Sequence, residues 1–205
     1  MTSILEMLDK GGIMIYPLLL TSVTGLTVAI ERALFLRRKR IIRPDVLSVI
    51  RNITSLDDVK KALAGLAGSD GPFLNIIQTA LAFRGRPRQE IKEAMIDRGR
   101  QEARTLERGL AVLETVAGIS PLMGLMGTVI GMIKVFRVIS EQGLGQTQAL
   151  SVGISEALVT TVVGLAIAIP ALVAFNYFTH KVDDLVMEIE EHSAYLLDKV
   201  SHSQE

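Results

Sequence analysis

The stretch Val152-Gly-Ile-Ser-Glu156-Ala-Leu-Val-Thr160-Thr161-Val-Val-Gly164-Leu-Ala-Ile-Ala-Ile-Pro170-Ala-Leu-Val-Ala-Phe-Asn-Tyr177 is apolar for most of its length. It exceeds the ~20 helical residues needed to cross a ~30 Å hydrocarbon core. Working outward, two more blocks of the same kind appear, Leu110 to Arg137 and Ile13 to Leu36. With no water to satisfy the backbone, three isolated segments can span only as helices. The expected fold is therefore an all-α membrane protein with three transmembrane helices, spanning about 13–36, 110–137 and 152–177. Residues 37–109 and about 178–200 are left outside the bilayer as a helical bundle.

Composition agrees. Of the 205 residues, 49% are apolar and the mean hydropathy is positive, which a soluble domain of this length seldom shows. The formal net charge is zero, yet 17 of the 22 Lys and Arg residues fall between Arg32 and Arg108 and none between Ser140 and Ser151. Cationic loops stay cytoplasmic. The expected orientation has the N-terminus outside and both the long loop and the C-terminus inside. Lys134 and Arg137, near the outer end of the second span, weaken this asymmetry without reversing it.

There is no cysteine and there are only three histidines, so thiolate metal sites are excluded and no metal or other cofactor is expected. Residues 1–10 carry acids and no small-residue cleavage site, unlike a cleaved signal peptide. The loop reads as helical: a capping-box-like Ser55-Leu-Asp-Asp58 opens a helix to about Leu66. A short amphipathic pattern follows at Phe73, Leu74, Ile76, Ile77 and Leu81. A longer charged helix with sparse apolar residues (Ile91, Met95, Ile96, Leu106) runs from about Gln89. Arg37-Arg38-Lys39-Arg40 reads as a stop-transfer anchor at anionic headgroups, and Pro44 as a helix breaker. Charges of both signs and few aromatics argue against a nucleic-acid surface. Val182, Leu185, Val186, Ile189, Leu196 and Val200 recur at helical spacing and extend the third helix beyond the membrane.

Chemistry concentrates in spans two and three. Gly124, Gly127 and Gly131 share a helix face, and Gly118 and Gly164 add small surfaces. In lipid, small residues let helices approach closely. Packing within one subunit and packing between subunits both satisfy this pattern. Pro121 and Pro170 are sites where a helix can kink. A polar group in hydrocarbon costs free energy, about 2.5–3.5 kcal/mol for a charge at the helix centre on insertion scales. Thr128, Thr160, Thr161 and Glu156 are thus expected to face protein or water. A lone membrane threonine usually returns its hydroxyl to its own helix. Threonines at similar depth on two helices beside glycine faces point instead to a polar stripe lining a cavity, and an ion pathway is the first functional reading. Glu156 is placed either for a salt bridge with Lys134 or Arg137, which share a face, or for a proton relay. Glu114 reads as interfacial. None of the spans contains Asp, so a central proton acceptor would come from a partner. No nucleophile–base pair or phosphate loop indicates an enzyme.

Three motifs together resemble the MotA/TolQ/ExbB proton-channel family, and most closely its three-span ExbB/TolQ branch. They are Met14-Ile-Tyr-Pro17-Leu-Leu-Leu20 with Ser22 and Glu31-Arg32; Ser120-Pro121-Leu-Met-Gly124-Leu-Met-Gly127-Thr128-Val-Ile-Gly131-Met132; and Gly153-Ile-Ser-Glu156-Ala-Leu-Val-Thr160-Thr161 through Gly164, Ala168-Ile-Pro170-Ala171 and Asn176. The resemblance implies a pentameric ring in the inner membrane of a Gram-negative-type cell. A single-span ExbD- or TolR-like partner would thread the ring and supply the membrane Asp. Thr128 and Thr161 match the family's pore-lining threonines, and Glu156 its glutamate at the outer end of span three. Proton flow would turn the ring about the partner and drive a periplasm-spanning TonB- or TolA-like protein. The fourth span of flagellar MotA is lacking, and Lys134 and Arg137 lie outside the motif. A non-conducting scaffold and an open solute channel are the competing readings.

Overall fold

A computed structural model describes residues 11–42, 44–52, 71–143 and 147–202. The helix expected over Ser55–Leu66 and the leader reading of residues 1–10 lie outside these residues. All regular structure among the described residues is helical: a 3-10 turn at Gly12–Met14, α1 (Ile15–Phe35), α2 (Arg38–Ile41), α3 (Pro44–Asn52), α4 (Pro72–Ala82), α5 (Arg88–Glu107), α6 (Leu110–Gln142) and α7 (Thr147–His202). Three helical stretches, Gly12–Phe35, Arg88–Glu141 and Leu150–Asp198, are long and apolar enough to cross a membrane. The third span and the C-terminal apolar stripe are one helix.

The chain forms two compact units. The first comprises residues 1–31 and 109–177, and the second residues 32–108 and 178–205. In the first unit, α1, α6 and the first half of α7 turn apolar side chains outward, among them Leu20, Leu122, Phe136, Leu158 and Val173. In water such a surface would drive aggregation; against lipid tails it needs no cover. Its interior holds small and polar groups alongside Leu18, Leu113 and Val116. Ser120 and Thr160 are fully buried, with Ala157 and Ala168 beside them among the buried residues. Both α6 and α7 continue as helix through Pro121 and Pro170.

The second unit has an ordinary apolar core. Pro72 occupies the first turn of α4, where its missing N–H costs nothing. The helix then buries Phe73, Leu74, Ile76, Ile77 and Ala80. α5 contributes Ile91, Met95 and Leu106, and α7 contributes Val182, Leu185, Ile189 and Leu196. Ile96 faces outward, and the Val200 side chain lies outside the described residues. The helix through the basic cluster ends at Ile41, before Pro44, and Pro44 itself opens α3, because proline is compatible with a helix start. Two sequence expectations change here. The charged helix α5 is not wholly solvated: Glu102 is buried, accepting hydrogen bonds from Asn75 Nδ2 at 2.9 Å and pairing with Arg98 at 2.7 Å. Within the basic cluster, Arg38 is committed to protein. Its Nε donates to Glu188 Oε2 at 2.9 Å, and its Nη2 to Glu188 Oε1.

Candidate functional site

Spans two and three run antiparallel in register, and the register is carried by small residues. Gly131 faces Gly153 and Ala157, Gly127 faces Thr160, Gly124 faces Thr160, Thr161 and Gly164, and Gly164 faces Ser120. The approach is close enough to exclude side chains. A methyl at Gly124 would stand 2.9 Å from the Thr160 carbonyl oxygen, and one at Gly164 would stand 2.6 Å from the Ser120 carbonyl oxygen. Both obstacles are backbone, so neither can swing away. Within this chain the glycine face is thus used by α6 against α7, which answers for Gly124, Gly127, Gly131 and Gly164 the choice left open by their spacing. Gly118 meets nothing within 4 Å.

The hydroxyls sort onto different sides of this seam. Thr160 is fully buried over Gly127 and donates to the carbonyls of Glu156 (3.1 Å) and Ala157 (2.9 Å) on its own helix. The expectation that Thr160 lines a path is therefore corrected. Its side chain has no open surface in the chain and serves the helix contact. Thr161 and Thr128 are only half-buried. Thr161 Oγ1 reaches across the seam to the Gly124 carbonyl at 3.3 Å, and lies 3.4 Å from its own Ala157 carbonyl. Thr128 would normally return its hydroxyl to that same Gly124 carbonyl, four residues back. It donates instead to Leu125 O at 2.5 Å. The two hydroxyls thus go to neighbouring carbonyls of α6, and both side chains stay half open at the edge of the seam.

At the other end of the seam, Glu156 is buried and its carboxylate lies 2.5 Å from Lys134 Nζ. Of the two cations weighed for this pair, Lys134 makes it; Arg137 is exposed. Glu114 is exposed near the start of α6. Sequence reading passed over Gly153, Ala157 and Ser120 as packing residues. Their signal was present as a small-residue series (Gly153, Ala157, Thr160, Gly164) that complements the one on α6. Among the described residues no group of His, Asp and Glu is arranged to hold a metal ion.

Residues 68–191 match the MotA/TolQ/ExbB proton channel family. This chain belongs to that family. Individual relatives agree. A putative biopolymer transport protein ExbB homolog of Methanothermobacter thermautotrophicus is 31% identical over 189 residues, covering 92% of this chain and 67% of the relative. The putative biopolymer transport protein ExbB-like 3 of Synechocystis is 36% identical over 179 residues, covering 82% and 81%. The Tol-Pal system protein TolQ of Haemophilus influenzae is 40% identical over 83 residues, covering 40% of this chain and 36% of the relative. The family match takes in the α6–α7 seam, both half-buried threonines and the Lys134–Glu156 pair.

Proposed function

We propose that this protein is the ring subunit of an inner-membrane motor driven by the proton-motive force. Several copies, five by family resemblance, surround a single-span ExbD- or TolR-like partner whose Asp accepts and releases the proton. The subunit itself performs no covalent catalysis. Its N-terminus lies on the periplasmic side and its C-terminus on the cytoplasmic side, in keeping with the loop charges. A TonB- or TolA-like protein would receive the work.

One observation carries this reading. Thr161 and Thr128, on facing helices, donate to the neighbouring carbonyls of Gly124 and Leu125 while both side chains remain half open. Hydroxyls cannot hold a proton charge at ordinary pH, yet each both donates and accepts. Presented to a partner carboxyl, they would hydrogen-bond either of its protonation states. Removing one would leave that carboxyl under-solvated inside the membrane, where it is costly.

The test is Thr161→Val in the assembly of this protein with its single-span partner, reconstituted in liposomes. Proton flux per assembled complex should fall while assembly is retained. Full flux with the valine would remove Thr161 from the proton path, and no flux even in the wild-type assembly would leave the scaffold reading. Conductance from this protein alone would support an open channel instead.

A further inference from the structure

Glu156 is enclosed from three directions. Lys134 of α6 meets its carboxylate at 2.5 Å. The α6–α7 seam closes beside it, with Gly131 against the adjoining Ala157 and Gly127 against Thr160 one turn further along. The 3-10 turn covers it from the N-terminal side. There Gly12 adopts φ +62, and any side chain at Gly12 would overlap the Glu156 carboxylate. The turn is therefore shaped around that carboxylate by a residue that supplies both the left-handed backbone and the missing Cβ. Next to it, Gly11 lies over the side chains of Ile15 and Val159. Glu156 keeps only 11% of its side-chain surface exposed.

The carboxylate and the threonine edge differ in their place on α7. Glu156 and Thr160, four residues apart, face into the seam, whereas Thr161 is at its border. From this geometry we infer that Lys134 is a positioning residue. It holds Glu156 in a clasp joining α7, α6 and the N-terminal turn, and thereby keeps that carboxylate out of the proton path. The inference rests on the proton-conducting reading above and refines it, since it takes from Glu156 the relay role and leaves the titrating acid to the partner. Among the described residues around Glu156, Lys134 is the charged group on α6 that meets it, with Arg137 further along and exposed. The turn Gly11–Met14 and the neighbouring residues of α7 carry no titratable side chain.

An ionised carboxylate with a fixed counter-ion should not titrate as protons pass. Without the counter-ion it becomes a second group able to take one up. Proton flux per assembled complex is measured against pH for the wild type, Lys134→Met, Lys134→Gln, Glu156→Gln and the Lys134→Met/Glu156→Gln double variant, each with the partner present. Lys134→Gln preserves a hydrogen-bond donor should the methionine variant fail to assemble. The expected result is a titration step in the Lys134 variants that is absent from the wild type and removed again in the double variant. The reversed pair Lys134→Glu/Glu156→Lys should restore a single-step profile. Infrared difference spectra of wild type minus Glu156→Gln should show an ionised carboxylate across the working pH range, a readout independent of flux. The inference is overturned if the wild type already shows a step that Glu156→Gln abolishes and the Lys134 variants keep, or if the infrared band is that of a protonated acid. Thr161→Val, measured in parallel, separates the outcomes. Loss of flux there with no clasp signature rejects this inference alone, and full flux there rejects the threonine-lined path on which it stands.

Discussion

Thr161 on α7 donates its hydroxyl to the main-chain carbonyl of Gly124 on α6, a residue 37 positions earlier in the chain, at 3.3 Å. The bond exists because Gly124 has no side chain to hold the helices apart, and because Thr128 has turned its own hydroxyl away to Leu125. It is long and its donor is half open, so it stabilises little and can be exchanged for a bond to another group. A partly occupied hydroxyl beside a membrane helix is what a transient proton acceptor needs.

Thr161→Val should therefore separate stability from function. The lost bond is worth at most about 1 kcal/mol of stability, and thermal unfolding in detergent should shift little. If the hydroxyl contributes a similar hydrogen bond to the rate-limiting proton transfer, flux should drop about fivefold. A large fall in melting temperature with proportionate loss of flux would mean that Thr161 is a packing residue only.

Gly164→Ala should be more damaging to stability than any change at the threonines. The new methyl meets the Ser120 carbonyl at 2.6 Å and the Gly124 backbone at 3.1 Å. Backbone on the facing helix can yield only by separating the helices, and overpacking of this kind costs about 1–3 kcal/mol. Gly118→Ala is the control. Nothing lies within 4 Å of that site, and alanine gains about 0.5–1 kcal/mol of helix preference over glycine. Paired thermal melts of the two variants should move in opposite directions.

How much of this was legible beforehand depends on what each residue answers to. The three apolar stretches were plain because bilayer thickness dictates a length, and length is read directly from sequence. The threonines and glycines could be singled out because polarity and small size are conspicuous among Leu, Ile and Val. Which face each occupied was not legible. Thr160 and Thr161 are adjacent and chemically identical, and only the antiparallel register sends Thr160 onto Gly127 and leaves Thr161 at the edge. The choice between Lys134 and Arg137 for Glu156 was hidden for the same reason. Glu102 was missed because a charged residue among charged neighbours carries no periodicity of its own. Its burial follows from where Asn75 of α4 arrives, a long-range contact.

In the second unit, stability should depend on pH through Glu188. The Arg38 guanidinium hydrogen-bonds this carboxylate and holds its pKa below the ordinary carboxylate value. The Arg38 and His192 charges add to the shift, and burial opposes it. A carboxyl depressed in the folded state favours folding above its unfolded pKa, and that contribution is lost as pH falls through the lowered folded value. Wild type should thus lose stability on acidification below the usual Glu range. Glu188→Gln should show a flatter profile there and a small deficit at neutral pH, since Arg38 is largely exposed and surface pairs are weak. Melting temperatures at stepped pH would test this, and identical slopes in the two proteins would argue against it.

Glu102 offers the sharpest test of how the second unit is held together. Its carboxylate is buried, and its Oε1 accepts from Asn75 at 2.9 Å and pairs with Arg98 at 2.7 Å. Arg98 reaches it from one turn earlier on α5, so that bond is local; Asn75 comes from α4 and ties two helices together. Asn75→Ala should leave the buried charge with one partner fewer, a loss of about 1–3 kcal/mol for a buried group deprived of its hydrogen bond. Glu102→Gln keeps an acceptor for Asn75 and removes the charge, and should cost less than Asn75→Ala. Combining the two should cost less than their sum, because in the double variant no buried charge is left short of a partner. Strict additivity of the measured unfolding free energies would show that Asn75 and Glu102 do not act on one another, and that α4 is held to α5 by its apolar residues alone.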